Sequence, residues 1–129
     1  YFQKTLLKFF NSLILKDKNH YGYILESGQL EPKIVKEMID FENTIVVCLG
    51  LGKLNIDEMI ELCIEHDIEK DWTFRLPREY LRKHAIDWYS ANEMLKKECP
   101  KYGIRYYDTS ENREQVLNEI MDEIKKLVR

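Results

Sequence analysis

The chain has 129 residues, 44% of them hydrophobic and 33% charged, a mix that excludes a disordered or collagen-like polypeptide. No apolar run approaches the roughly 20 residues needed to cross a bilayer. No signal-peptide pattern opens the chain, and a formal net charge of −3 gives no bulk attraction to nucleic acid or an anionic membrane.

In chain order, Tyr1-Phe2-Gln3 carry no weight, and apolar residues at Leu6, Leu7, Phe10, Leu13 and Ile14 predict a helix from Lys4 to about Lys16. Asn19-His20 break it, Tyr21 to Glu26 reads as a strand, and Ser27-Gly28 as a loop. Pro32 suits the first turn of a helix with Ile34, Val35, Met38 and Ile39 inward. Thr44 to Leu49 is apolar and β-branched without alternation, the pattern of a strand covered on both faces in a parallel sheet. A helix follows from about Ile56 to His66, with Asn55 or Asp57 near its start.

Residues Asp67 to Leu76 show no clean period, and a long helix then runs from Pro77 to about Glu98. Its inner stripe is Leu81, His84, Ala85, Trp88, Ala91 and Leu95, with His84 expected to be packed and hydrogen-bonded; Pro100 and Gly103 are expected to stop it. Ile104 to Asp108 reads as a strand. Asp108 and Glu111 have the spacing of a capping box for a last helix carrying Val116, Leu117, Ile120, Met121, Ile124 and Leu127. The three cysteines (Cys48, Cys63, Cys99) form no even, close framework and read as reduced thiols of a cytoplasmic protein. Cys63 and His66 lie one helical turn apart, but no further ligands stand near them in sequence, so a core thiol beside a polar-face histidine is the expectation.

Alternation of helices and strands makes the strands most simply parallel, and in such sheets the loops after the strands' carboxyl ends carry the ligand. The suspects are the loops Glu26 to Gln29, Gly50 to Lys53 and Asp108 to Asn112. The expected fold class is α/β, a parallel sheet with helices on both faces, in one domain over residues 1–129.

Those loops resemble the part of an adenylate-kinase-like P-loop kinase downstream of its phosphate loop. Tyr23-Ile24-Leu25-Glu26-Ser27-Gly28-Gln29 is similar to the strand of Walker B type ending in an acidic residue, Thr44 to Leu49 to the next strand, and Tyr106 to Ser110 to the last strand and the loop beside adenine. Trp72 to Arg82 stands in the place of the arginine-bearing lid, near 67–83. The resemblance implies ATP and Mg²⁺ as cofactors and phosphoryl transfer to a small-molecule acceptor. It implies Glu26 at the metal or acceptor, Ser27 and Gln29 at the acceptor, Arg75, Arg78 and Arg82 as catalytic groups on the phosphates, and Thr109, Ser110, Asn112 and Arg113 beside the base.

The family's G-x-x-x-x-G-K-[ST] string is absent. Val47 to Leu54 contains Gly52-Lys53, but Val47 stands where the first glycine belongs and Leu54 where the metal ligand belongs, so this string reads as a loop after a strand. In the family the phosphate-loop strand lies mid-sheet. Without it the strands at Tyr23 and Thr44 are not neighbours, and the expectation is either that roughly 50–60 residues of the domain precede Tyr1 or that the strands re-pair in another order.

Blander readings stand beside these. Glu26 is equally a solvated turn carboxylate, Gln29 a polar residue before a helix, and the basic stretch Lys70, Arg75, Arg78, Arg82, Lys83 a solvated face laced with ion pairs. Trp72 and Trp88 are more often core than ligand-binding. The second functional class is a non-catalytic α/β binding or assembly module, whose exposed strand edge pairs with a partner or with a second copy in a homodimer.

Overall fold

The computed structural model describes residues 1–17, 19 and 22–128. Helix α1 (Phe2–Lys16) buries Leu7 and Phe10, and α2 (Pro32–Met38) begins at Pro32, whose fixed φ and missing N–H suit a first turn. Asn11 on α1 donates its side-chain amide to the Met38 carbonyl at 2.9 Å, satisfying an otherwise open helix end. Strand β1 (Val47–Gly50) leads through a short loop to α3 (Ile56–His66). Asn55 and Glu58 form a reciprocal capping box at the α3 start, both bonds 2.8 Å. Turns over 67–77 lead to the 24-residue α4 (Arg78–Lys101), then β2 (Arg105–Asp108) and α5 (Arg113–Leu127).

Strands β1 and β2 pair in parallel, Val47 opposite Arg105 and Gly50 opposite Asp108. Helix α4 packs against both strands. Alternation puts Val46, Cys48 and Tyr106 on the core side. Arg105 and Tyr107 point to the opposite face, where Glu123 of α5 receives the Arg105 guanidinium at 2.5 Å and the Tyr107 hydroxyl at 2.6 Å.

Two separate cores result. One gathers Leu7, Phe10, Val35, Ile39, Cys99 and Ile104; the other gathers Met59, Ile60, Leu81 and Ala85, with Leu51, Leu54, Leu76 and Trp88 around them. Complete burial of a side chain such as Ile60 or Leu81 is worth about 1.5–3 kcal/mol, so each core is a real source of stability. Among the described residues, only α4 contributes buried residues to both.

Several expectations are corrected. Residues 22–27 form no strand, and Tyr21 lies outside the described residues. A strand needs a ladder partner, and among the described residues the ladder joins only β1 and β2, so residues 22–27 are without one. Strand β1 starts at Val47 rather than Thr44, because β2 opposes only its last four residues. The sheet therefore has two strands among the described residues, and Ile45, Val47 and Leu49 are exposed rather than covered. Pro100 sits inside the last turn of α4 instead of ending it; the chain leaves the helix at Tyr102 and Gly103, whose φ is +71°. Asp108 and Glu111 make no capping box. Helix α5 starts after Asn112, held in the left-handed region at φ +50°, while Asp108 accepts the Ser110 amide at 2.9 Å in a local turn.

Candidate functional site

The parallel pair brings the loops after β1 and β2 together at one end of the sheet. The Thr109 amide and hydroxyl both donate to the Gly50 carbonyl, at 2.8 and 3.1 Å. The Asn92 side-chain oxygen on α4 accepts the Leu51 amide at 2.8 Å, and the Ser110 hydroxyl accepts the Lys53 amide at 3.2 Å. Lys96 donates to the Gly52 carbonyl at 3.3 Å, and Lys53 pairs with Glu111 at 3.4 Å.

These bonds explain the Gly50-Leu51-Gly52-Lys53 string without a phosphate. A Cβ on Gly52 would lie 2.7 Å from the Tyr106 hydroxyl oxygen, and one on Gly50 would overlap the same ring. The glycines admit Tyr106, while the Leu51 and Lys53 amides are already engaged within the protein. A triphosphate cradle needs free amides converging on an anion. The loop does not fit that group.

The Tyr106 hydroxyl is buried beneath this turn without a hydrogen-bond partner among the described residues. Burial, reinforced by the nearby Asp108 carboxylate, pushes its pKa up to about 12. Thr109 is buried and serves the Gly50 carbonyl, whereas Ser110 is half-buried and Asn112 and Arg113 are exposed at the head of α5. Sequence pattern alone gave no sign that Asn92 and Lys96 belong to this site, and Tyr106 entered only as part of the strand that leads to the 108–112 loop. Tyr106 stands on β2 opposite Cys48, two positions before Gly50, so the approach shows only once the register of the strands is known.

The 67–83 segment separates the three candidate arginines. Arg78 and Arg82 on α4 pair with Glu61 and Asp57 of α3, the second pair at 2.7 Å. Arg75 has no ion-pair partner among the described residues; its guanidinium lies over the Phe74 ring at 4.9 Å, and its φ is +59°. The turn is fixed by Thr73 donating to Asp67 at 2.5 Å and by the Ile68 amide donating to Asp71 at 2.8 Å.

Trp72, 64% exposed, stands edge-on to His84 at 4.8 Å, and His84 lies nearly parallel to Trp88 at 6.1 Å. His84 is thus packed between two indoles, as expected, and makes no side-chain hydrogen bond among the described residues, which corrects the other half of the expectation. Trp88 alone fulfils the core role expected of both tryptophans, because the 67–77 turns carry Trp72 outward.

Glu26 and Gln29 are exposed, and the Gln29 amide donates to the Ser27 hydroxyl at 3.2 Å. Among the described residues, no hydrogen bond or ion pair links this turn to the arginines or to the 109–113 loop. No group of three or more His, Cys, Asp or Glu among the described residues converges as metal ligands. A shallow groove of about 520 Å³ lies elsewhere, between β2 and the end of α5, where Arg105 and Tyr107 are already engaged by Glu123. No helix is long and apolar enough to cross a membrane among the described residues. Comparison with known protein families, curated proteins and solved structures finds no match.

Proposed function

We propose that this chain forms part of an ATP-dependent phosphotransferase acting on a small-molecule hydroxyl or phosphate. The carrying observation is the parallel β1–β2 pair, whose carboxyl-end loops 51–55 and 109–112 are tied to each other and to α4, where an open α/β sheet places its ligand. In this reading Ser110, Asn112 and Arg113 border the base, with Thr109 acting through the Gly50 carbonyl rather than on the nucleotide. Arg75, unpaired and exposed, is the readiest phosphate ligand; Arg78 and Arg82 would first release Glu61 and Asp57. Glu26 would serve Mg²⁺ through water or handle the acceptor, with Ser27 and Gln29 beside it; a single carboxylate suits a cation that keeps waters and takes substrate phosphates.

Because the Gly50–Lys53 turn does not fit a triphosphate, the reading requires a phosphate loop from a further strand seated against the free edge of β1. The unpaired 22–27 segment, with Ile24 98% exposed, is consistent with an additional strand. The test is binding of a nucleotide panel by the full-length gene product with and without Mg²⁺. Saturable Mg²⁺-dependent binding of a nucleoside triphosphate, with turnover on an added acceptor, is the expected result; absence of binding across the panel sinks the reading.

The alternative is a binding or assembly module that pairs through β1. The unpaired edge and the exposed row Ile45, Val47 and Leu49 favour it. Self-association abolished by Val47→Lys, together with no nucleotide binding, would select this reading.

A further inference from the structure

Helix α1 differs in charge from the other helices of the described residues. It carries Lys4, Lys8 and Lys16 and no Asp or Glu, whereas α2, α3, α4 and α5 all carry carboxylates. With a net charge of −3 over the whole chain, these cations stand on an otherwise acidic protein. None of them makes an ion pair among the described residues. Asp17, just past the helix end, is engaged by the Asn19 amide at 3.0 Å. Leu7 and Phe10 face the core, and Gln3 on their side accepts the Glu31 amide at 2.7 Å. At 3.6 residues per turn the exposed Thr5 lies opposite, with a stripe on each flank: Lys4, Lys8 and Leu15 on one, Phe9 and Lys16 on the other. Phe9 is 62% exposed and Leu15 87%, so each stripe joins cations to a large apolar side chain that the fold leaves uncovered.

We propose that this outer surface of α1 docks lengthwise on a bilayer rich in anionic phospholipid. The lysines meet the headgroup anions, their stems lying along the apolar boundary, while Phe9 and Leu15 enter it. Charge complementarity selects this occupant. A second copy seated on the same face would set lysines against lysines, and a nucleic-acid backbone would leave Phe9 and Leu15 in water. The acidic remainder of the chain is repelled by the same leaflet, which favours the orientation with α1 against it. The attraction is local, as the net charge supplies none in bulk. With two apolar anchors the attachment is shallow, reversible and sensitive to salt. It depends neither on the phosphotransferase reading nor on pairing through β1.

The test is co-sedimentation of the full-length gene product with vesicles of phosphatidylcholine alone and of phosphatidylcholine and phosphatidylserine in equal parts. The expected result is binding to the mixed vesicles and far weaker binding to phosphatidylcholine. Raising salt from about 0.1 to 1 M, which shortens the screening length from about 10 to 3 Å, should release the protein. Each lysine near an anionic leaflet is worth about fivefold in partition, so Lys4→Gln, Lys8→Gln and Lys16→Gln together should weaken binding about a hundredfold. Phe9→Ser should weaken it severalfold and leave the salt response intact, while Lys97→Gln, exposed on α4, should change nothing. Thermal melts matching the parent's identify folded variants; should one not fold, the lipid and salt dependence of the parent decides alone. No binding to the mixed vesicles, equal binding to both kinds, or full retention by the triple variant would overturn the proposal. Self-association without lipid that Phe9→Ser abolishes would give the face to a second copy and overturn it equally.

Discussion

The Tyr106 ring occupies the space in front of Gly50 where any other residue would carry its Cβ. Tyr106 lies on β2 opposite Cys48, so strand register fixes this approach two residues before the loop itself begins. Gly50→Ala should therefore destabilise the fold by about 1–3 kcal/mol through overpacking. Tyr106→Phe, which removes an unpartnered buried hydroxyl, should be neutral or slightly stabilising. Urea unfolding measures both, and a neutral Gly50→Ala would contradict the close approach.

The same burial makes the fold sensitive to alkali. Tyr106 is raised from 10 to about 12 and Cys99 from 9 to about 12, so the folded state favours the neutral form of each. Their contribution is complete below the unfolded values and is lost as pH rises from 9 towards 12. Urea midpoints should fall over that window, and Tyr106→Phe should flatten the part above pH 10. An unchanged slope in the variant would contradict the assignment.

The arginines of the 67–83 segment should divide in their effects. Arg78→Ala and Arg82→Ala each break an exposed pair with α3 and should cost no more than ~1 kcal/mol. Arg75→Gly relieves a left-handed backbone at φ +59° and should gain about 1 kcal/mol while reducing phosphotransfer by the full-length protein. Thermal melts beside turnover check this. A variant both less stable and fully active would remove Arg75 from the proposed site.

Residues 1–129 alone should show no saturable ATP binding in calorimetry at about 10⁻⁶ M, because charge-assisted amide bonds, each worth about 1.5–3 kcal/mol, are missing from the turn. The same chain extended upstream by a strand and a phosphate loop should bind. Tight Mg²⁺-dependent binding by residues 1–129 would contradict the account of Gly50 to Lys53.

The helices were legible because each writes its buried face into local periodicity: Leu7 and Phe10, Met59 and Ile60, Leu81 and Ala85 are where the spacing puts them. Parallel pairing of the strands at Val47 and Arg105 was legible from alternation with helices. Strand extent was not, since it depends on a neighbour: 22–27 has a strand's composition but no ladder. Asp108 and Glu111 had capping spacing, yet Asp108 is held by the Ser110 amide next to it, and the helix waits for Asn112. The Tyr106 approach to Gly50 spans 56 residues of sequence and leaves no local mark. Nor did the pairing of Arg78 and Arg82 with α3, since the carboxylates that hold them stand on a different helix.

Among the described residues, helix α4 alone is rooted in both cores, and its 24 residues span roughly 36 Å. It is therefore a lever. A tilt of about 10° about the Cys99 end would carry the Arg78 end through roughly 6 Å, taking α3 and the 67–77 turns with it. Asn92 stands between the two cores, its oxygen on the Leu51 amide and its nitrogen on the Trp88 carbonyl at 3.1 Å. Swinging of the arm would therefore be felt first at the turn after β1.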